Sequence, residues 1–520
     1  MVEVRWDYIW FSLIVLIGSI GCKNMNRESK IKVLMHGCYS TDPLLYDSYC
    51  HHILIRSVVA PLVSNYGRSG ISEGLASSWV ENYRGKSWTF YIRPNLKFEN
   101  GKPINPEAIV LSLKRLAFLM KNKNSRSEVF DNLVGIQNFN AIGDEIEGGL
   151  IADNSKNTVQ FNFVKPVPRF LEIISFGLYG IVSSEDFEAK TGKWKNEKKI
   201  SSSYNYKLNW KSENIILLEK REDQRIGYLH KNSYKRIELN NSGYVNGGFY
   251  DKYNDYDIQS LHLSFDGEIE GYNTIKSPYK DSIFYVHFYS FLQHPLFKDK
   301  GNRQIVMARF YNELKKRKLE HSINFFDMLF KGGNASLDKL SQSIEKSSEL
   351  KFLGDSNETY SVKLGMFTVK VDSEYVESVT NALESALTFS NVDVERVEVK
   401  NIFKHGEDLL DPENPKKIVD IKITGTGVLV ENPQQDLMFM FLSKQGIRLP
   451  DVDKNIKPKL LSRPFNTEYV IDHINQALLE GAAIWPITNF WAGYLAAKEV
   501  DMTNINTSQP PIDFSYIGEK

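Results

Sequence analysis

The sequence has few cysteines, no net charge and none of the motifs that mark common catalytic sites. It contains 3 cysteines and 10 scattered histidines, and it has no nucleophile elbow, phosphate-binding loop or H-E-x-x-H helix. Lysine and arginine together number 64, as do aspartate and glutamate. A neutral chain lacks a sequence-independent attraction for nucleic acid. We therefore expect neither an enzyme nor a nucleic-acid partner, and the sequence indicates no cofactor.

Long apolar runs are also scarce. The run Tyr8–Ile17 is shorter than the about 20 residues that a membrane span needs, but it fits a secretory signal of roughly 7 to 15 apolar residues. Behind it, Gly21-Cys22 resembles the end of a bacterial lipobox, in which the cysteine is lipidated and becomes the first residue. We predict a signal peptide over residues 1–21, a lipidated Cys22 and a polar tether over residues 22–30. A simply cleaved signal peptide and a buried first helix are the alternatives.

Cys38 and Cys50 are the remaining cysteines, and the exported context allows a disulfide between them. Two free thiols, buried or half-buried, are a second interpretation. A metal site is a third, because His36, His51 and His52 lie nearby in the sequence. Two adjacent histidines point about 100° apart on a helix, which disfavours joint chelation. We predict no metal site.

With 520 residues and 42% hydrophobic content, the chain can form two or three packed units. Its clearest local pattern lies in residues 75–116. Ser87–Ile92 is rich in aromatic and β-branched residues and predicts a strand. Asn105-Pro106-Glu107 predicts the start of a helix. The apolar spacing of that helix leaves Lys114 and Arg115 toward solvent.

The order of residues in this stretch resembles the signature of the family 5 extracellular solute-binding proteins. These are the dipeptide, oligopeptide and nickel receptors of ABC importers. A match at so many ordered positions is far more specific than a short motif. The matching residues are Leu75, Ala76, Ser78, Trp79, Thr89, Phe90, Arg93, Lys97, Phe98, Gly101, Pro103, Val110, Ser112 and Arg115.

The resemblance covers most of the chain after residue 30. It implies an α/β, two-lobed, periplasmic-binding-protein-like (type II) fold with an extra subdomain on lobe I. Lobe I is then discontinuous, because the end of the chain returns to it. The expected division is 31–56 and 171–264 for lobe I, 57–170 for the extra subdomain, 265–484 for lobe II and 485–520 for the return to lobe I.

The resemblance also implies where lobe I borders the ligand cleft. In the family the first strand, here Ile31–Met35, opens at its carboxyl end on the cleft, as open α/β sheets generally do. Asp42-Pro43 matches the family's D-P after that strand. Tyr39 and Ser40 are therefore candidates for the cleft edge, with an ordinary strand-to-helix loop as the alternative.

The run Val419–Pro433 aligns without gaps on the family's F-D-x-x-x-x-G-W-x-x-D-Y-x-D-P. In peptide-binding relatives the tryptophan lines the cleft and the first aspartate after it pairs with the ligand's ammonium group. Thr426 and Leu429 occupy those positions here, and both are candidate ligand contacts, as is Thr424. A buried ammonium needs a partner, so the usual means of holding a free peptide N-terminus is absent. Recruiting Glu431 instead breaks the alignment.

Four further candidates lie near the predicted crossings between the lobes. Phe288 ends a predicted strand of lobe II. Trp485, Asn489 and Phe490 belong to the segment that resembles the family's return to lobe I. All four are candidate ligand contacts, and core packing is the alternative for the aromatic side chains of the return segment. The last residues, Thr503–Lys520, have the composition of a polar tail.

The function that the resemblance implies is capture of a peptide or peptide-like solute and its delivery to ABC permease subunits. The lipid anchor would hold the protein to a membrane of the bacterial cell envelope, in the periplasm or at the cell surface. A second hypothesis is a divergent surface lipoprotein of the same fold that acts through protein contacts and has no transport ligand. The substitutions at Thr426 and Leu429 favour that hypothesis.

Overall fold

The computed structural model describes the chain from residue 29 onward, with gaps. The predicted signal peptide, Cys22, Tyr39 and Leu429 lie outside the described residues. The described ranges are 29–35, 38, 40–45, 49–122, 127–167, 169–240, 255–260, 269–276, 282–288, 294–319, 351–367, 373–399, 419–427, 457–460, 469–470, 473–474, 483–490, 493–507 and 512–520.

The described chain contains both strands and helices, and several strands follow one another without a helix between them. The strands are β1 (Lys30–Leu34), β2 (Val63–Ser64), β3 (Ser72–Glu73), β4 (Ala76–Asn82), β5 (Ser87–Ile92), β6 (Leu150–Asp153), β7 (Thr158–Asn162), β8 (Tyr206–Trp210), β9 (Ile215–Lys220), β10 (Arg236–Asn240), β11 (Ile258–Ser260), β12 (Tyr272–Lys276), β13 (Ser282–Phe288), β14 (Tyr360–Phe367), β15 (Val392–Val399), β16 (Ile421–Gly427), β17 (Ile484–Phe490), β18 (Gly493–Ala497), β19 (Val500–Asp501) and β20 (Gly518–Glu519). The α-helices are α1 (Tyr49–Val58), α2 (Pro106–Asn122), α3 (Phe170–Ile174), α4 (Pro295–Lys298), α5 (Lys300–Lys316), α6 (Ser373–Ala386) and α7 (Lys457–Leu460).

The first large sheet forms lobe I and has the strand order β12-β18-β11-β1-β10-β9-β8. β1 lies parallel to β10 and β11, and the other neighbours are antiparallel. Exposed and buried side chains alternate at the start of β1, as in a strand with one face on the core: Lys30 and Lys32 are exposed while Ile31 and Val33 are buried. The buried pair shares an apolar core with Ile53 of α1.

The second large sheet forms lobe II and has the order β15-β14-β16-β13-β17. β14 lies parallel to β15 and β16, whereas β13 is antiparallel to β16 and β17. Helices α5 and α6 complete the core, with Phe310 and Leu383 fully buried in it. Residues 360–399 form a strand, a helix and a strand in that order, β14, α6 and β15. The two-lobed α/β fold is therefore the observed one.

A third sheet, β4-β5-β7-β6, forms the extra subdomain and is antiparallel throughout. Aromatic rings fill the space beneath it, where the ring centroids of Phe161 and Phe170 lie 5.1 Å apart. The predicted strand Ser87–Ile92 is confirmed as β5. The predicted helix is confirmed as α2, and the Asn105 side-chain oxygen accepts a hydrogen bond from the Ala108 N–H at 2.9 Å.

One prediction about α2 is wrong. Arg115 was expected toward solvent, but only 3% of its side chain is exposed. Lys114, its neighbour, is half-buried. Local apolar spacing could not show this, because the groups that cover Arg115 come from Asp42 in the loop after β1 and from residues 187–194. The burial is a tertiary effect.

The sheets also correct two of the expected domain boundaries. β12 pairs with β18 in the lobe I sheet, so lobe I extends past residue 264 to Lys276. β17 pairs with β13 in the lobe II sheet, so lobe II extends past residue 484 to Phe490. The crossings between lobes are therefore residues 277–281 and 491–492. Motif order could not show this, because it does not tell which sheet a strand joins.

The end of the chain is not the polar tail that its composition suggested. Ile512, Phe514 and Ile517 are buried in the lobe I core, and β20 pairs with β19. Asp513 lies among them, fully buried, and its Oδ1 accepts a hydrogen bond from the Ser515 N–H at 2.8 Å. Burial raises the pKa of the Asp513 carboxyl to about 7. Polar residues between the apolar ones concealed this docking segment.

Candidate ligand-binding cleft

The two crossings bring the strand ends of the lobe I sheet close to the strand ends of the lobe II sheet; each such set of strand ends is called the edge of its lobe below. Strand β17 ends at Phe490 and β18 begins at Gly493. Three residue steps span at most about 11 Å of extended chain. The other crossing joins Lys276 to Ser282, and Lys276 pairs with Gly493 while Ser282 pairs with Phe490. The described residues at which the two crossings begin and end therefore lie side by side in each sheet.

Strand directions show which edges face each other. In lobe I the edge next to the crossings contains the carboxyl ends of the parallel strands β1, β10 and β11. Ser260, the last residue of β11, pairs with Tyr494 next to the crossing, and β1 and β10 run in the same direction as β11. In lobe II the edge next to the crossings contains the carboxyl ends of β14, β15 and β16, since Gly427 pairs with Ser282. Open α/β sheets bind ligands beyond the carboxyl ends of their strands. The space between these two edges is the candidate cleft.

Four predicted residues come together at the lobe II edge. Thr426 and Asn489 both pair with Ile283, from opposite sides of β13. Phe490 occupies the last register position, opposite Ser282, and Thr424 lies opposite Tyr285, two positions further in. Strand register thus places Thr424, Thr426, Asn489 and Phe490 at the cleft end of lobe II. Their contact with ligand stays a prediction.

Phe288 and Trp485 do not belong to this edge. Phe288 lies six positions along β13 from Ser282, about 20 Å at the usual rise of a strand. Both side chains are fully buried in the lobe II core. The ring of Phe288 lies 5.1 Å from Phe297 and that of Trp485 lies 6.0 Å from Tyr311, centroid to centroid. Both side chains therefore pack in the core, which was the alternative for Trp485 and is a correction for Phe288.

The lobe I edge is formed by the loop after β1. Ser40 is buried there, and its hydroxyl oxygen accepts a hydrogen bond from the Asp42 N–H at 3.0 Å. Cys38 and Cys50 form a disulfide, with their Cα atoms 5.3 Å apart. The disulfide interpretation is confirmed. Neither sulfur is then a free thiol or a thiolate ligand for a metal.

Sequence reasoning missed the residues that hold this loop. The Arg115 Nη2 donates to the Asp42 Oδ2 at 2.7 Å, with both side chains buried. The Trp194 indole N–H donates to the Thr41 hydroxyl at 3.0 Å. The available signal was the matching of both Asp42 and Arg115 to the family pattern. It did not reveal that the two residues contact each other across 73 positions of sequence.

A separate cavity of about 690 Å³ lies on lobe I alongside β12. Its lining residues come from lobe I and, with Arg68 and Gly70, from the range 57–170, and none comes from the lobe II sheet. The lining residues are Arg68, Gly70, Asn273, Thr274, Ile275, Lys276, Val500, Met502, Thr503, Ile505, Asn506, Thr507 and Lys520.

Comparison with known proteins decides the family. Residues 70–306 match the family model described as bacterial extracellular solute-binding proteins, family 5, middle. This stretch, a little under half of the chain, is that of a family 5 solute-binding protein. Family 5 proteins bind solutes and are not enzymes, which agrees with the absence of catalytic motifs from the sequence. Within the described ranges, no helix is long and apolar enough to cross a membrane.

Curated family 5 relatives align over short segments. The periplasmic oligopeptide-binding protein OppA of Salmonella typhimurium is 29% identical over 156 residues, which are 29% of this chain and 28% of that protein. The nickel-binding periplasmic protein of Escherichia coli is 41% identical over 51 residues, 10% of each chain. The aligned segments thus span well under half the length of these relatives.

Solved family 5 structures match over almost the whole length. The murein tripeptide binding protein MppA of Escherichia coli superimposes with a TM-score of 0.73 at 16% identity, covering 95% of this chain and 99% of that one. Listeria monocytogenes OppA bound to peptide gives 0.73 at 13% identity, covering 95% and 100%. At such identities the likeness shows the fold.

Proposed function

We propose that this family 5 protein captures a peptide or peptide-like solute between its lobes and delivers it to the permease of an ABC importer by closing the cleft. The observation that carries the proposal is the meeting of the two sheets at their carboxyl edges, across two short crossings. Extended peptides suit such a cleft because main-chain hydrogen bonds supply affinity with little demand on side chains. The oligopeptide-binding and murein peptide-binding relatives support a peptide ligand.

The proposal includes attachment to the bacterial envelope through Cys22, in the periplasm or at the cell surface. It is supported by the apolar run Tyr8–Ile17 and by Gly21-Cys22. One acyl chain anchors only marginally, so at least two are expected. Cys22→Ser should abolish fatty-acid labelling and release the protein from membranes. Unchanged labelling would refute the anchor.

Mass spectrometry of small molecules released by unfolding the purified protein tests the peptide ligand. We expect released peptide, or a peptide-like solute, in amounts close to those of the protein. A protein that releases nothing, and whose melting temperature is unchanged by a mixture of short peptides, contradicts the proposal.

That contradictory outcome would favour a second candidate, a surface lipoprotein that acts through protein contacts. The observation behind it is Thr426 and Leu429 at the positions where peptide-binding relatives carry a cleft tryptophan and an ammonium-pairing aspartate. A ligand without a free amino terminus accommodates the same substitutions. The peptide proposal therefore requires such a ligand, and the second candidate requires none.

A further inference from the structure

We infer that Arg115 and Asp42 act as positioning residues for the ligand cleft, because the extra subdomain fixes the lobe I cleft edge through this ion pair. The inference rests on the proposed function for its ligand, but the ordering of the loop can be measured without one. It gives the extra subdomain a role in ligand binding, although its sheet lies outside both lobe sheets.

Arg115 is held from several sides. Its Nη2 donates to the Asp42 Oδ2 at 2.7 Å, and its Nε donates to the Gly192 carbonyl at 2.8 Å. The guanidinium carbon lies 5.2 Å from the ring centroid of Phe187 and 4.9 Å from that of Trp194. The planar guanidinium therefore has one orientation in which it can both stack and donate. Helix α2 thus presents a fixed cation to the loop.

Asp42 connects the Arg115 guanidinium to the loop through hydrogen bonds. Its second carboxylate oxygen, Oδ1, accepts a hydrogen bond from the Leu44 N–H at 3.1 Å. Its own N–H donates to the Ser40 hydroxyl at 3.0 Å. The carboxylate thus links α2 to the backbone at Leu44, and the Asp42 N–H adds a contact with the hydroxyl of Ser40, the described candidate at the cleft edge.

Thr41 is held by a second set of hydrogen bonds, to the segment that contains Trp194; this set is called the Thr41 clamp. The Trp194 indole donates to the Thr41 hydroxyl at 3.0 Å, and that hydroxyl donates to the Lys199 carbonyl at 2.9 Å. The Thr41 N–H donates to the Glu197 carbonyl at 2.8 Å. Because Trp194 also stacks on Arg115, the Thr41 clamp and the ion pair are one connected network.

The ion pair should act by ordering the loop before ligand binds. A buried ion pair adds little net stability compared with an apolar pair. Removing one partner, however, leaves an uncompensated buried charge, and the remaining group loses the geometry in which both were satisfied. A loop that is already ordered loses less conformational entropy when ligand binds. We therefore expect loss of the pair to weaken binding through the loop, and to do so separately from its effect on stability.

The test uses the full protein and three variants. Asp42→Asn leaves the guanidinium unpaired, Arg115→Met leaves the carboxylate unpaired, and the double variant removes both charges. Affinity is measured by calorimetry with trialanine, both free and N-acetylated. Loop order is measured by amide hydrogen exchange over residues 38–45. If Arg115→Met fails to fold, Arg115→Lys keeps the charge and loses only the stacking plane and the Nε donor.

Each single variant should bind N-acetylated trialanine at least tenfold more weakly than wild type, about 1.4 kcal/mol, when affinity is measured well below the melting temperature of the variant. Each should also exchange faster over residues 38–45. The double variant should recover part of the melting temperature, since no uncompensated buried charge remains, without recovering affinity. A residue with only a structural role would not separate these two readouts.

The matched control is Ser112→Ala on the same helix. The Ser112 hydroxyl accepts a buried hydrogen bond from the Val182 N–H at 3.0 Å and does not contact the loop. This variant should lower the melting temperature and leave affinity unchanged. Wild-type affinity in Asp42→Asn and Arg115→Met overturns the inference. If wild-type protein binds neither form of trialanine, that failure concerns the proposed ligand and not the loop, and unchanged exchange over residues 38–45 then overturns the positioning role by itself.

Discussion

The two edges of the cleft are built in different ways. The loop on lobe I is fixed by a disulfide and by the buried Asp42–Arg115 pair. The edge on lobe II, in its described part, consists of strand ends whose register places Thr426 and Asn489 on either side of Ile283. Strand pairing fixes the backbone and leaves side chains free to change, whereas the side chains of the lobe I loop already serve structural contacts. We therefore expect the lobe I edge to control how well the cleft is formed, and the lobe II edge to control which solute fits.

The largest effect should come from neither edge but from the core behind the lobe II edge. Trp485→Ala removes a fully buried indole and should lower the free energy of unfolding by about 3 to 5 kcal/mol. Urea unfolding measures this loss. Ligand affinity below the melting transition should stay at the wild-type value, because Trp485 packs on Tyr311 and not at the cleft. Weaker affinity in a fully folded variant would return Trp485 to the candidate site.

Removal of the disulfide should be the next largest effect. The double variant Cys38→Ser, Cys50→Ser opens a link with a sequence separation of 12 and should lose about 3 kcal/mol of unfolding free energy. Its affinity for ligand should fall as well, because the lobe I loop loses one anchor. Wild-type protein treated with reductant is the control and should show the same melting temperature. A variant as stable as oxidised wild type would show that the link does not hold the loop.

Leu429→Asp tests the lobe II edge. If Leu429 replaces an ammonium-pairing aspartate, wild-type protein should bind N-acetylated peptide at least as well as free peptide, because acetylation removes a charge that has no partner. The variant should reverse this order, since a charge-assisted pair contributes roughly 1.5 to 3 kcal/mol. Calorimetry on both proteins with both peptides measures it, and the melting temperature should change little. A wild-type preference for free amino termini would point to Glu431 or another acid as the partner.

The smallest expected effect concerns Asp513 in the lobe I core. Its carboxyl has a pKa of about 7 in the folded protein, against 3.8 for the ordinary side chain, because burial disfavours the charge. A raised pKa means that its contribution to stability is complete below about pH 4 and is lost as the pH rises toward 7. Asp513→Asn has no proton to lose, so its melting temperature minus that of wild type should increase between pH 4 and 8. A pH-independent difference in calorimetric scans would contradict the shift.

Local pattern was sufficient wherever neighbours in sequence decide the structure. Ser87–Ile92 is a strand, and α2 begins directly after Asn105, because strand composition and capping are short-range properties. Arg115 shows where this reasoning stops, since its burial depends on Asp42, 73 positions away. The same limit applies to β12 and β17, whose partner strands set the crossings. The family resemblance identified the fold, but strand register was needed to separate Thr426 and Asn489 from Phe288.

We propose that solute binds between two lobes that close upon it. Small-angle scattering tests this most directly, on protein freed of ligand by unfolding and refolding and then saturated with the solute that mass spectrometry identifies. We expect a smaller radius of gyration in the saturated protein, because the two lobes approach each other when the cleft closes. Identical scattering curves with and without a solute that calorimetry shows to be bound would contradict it.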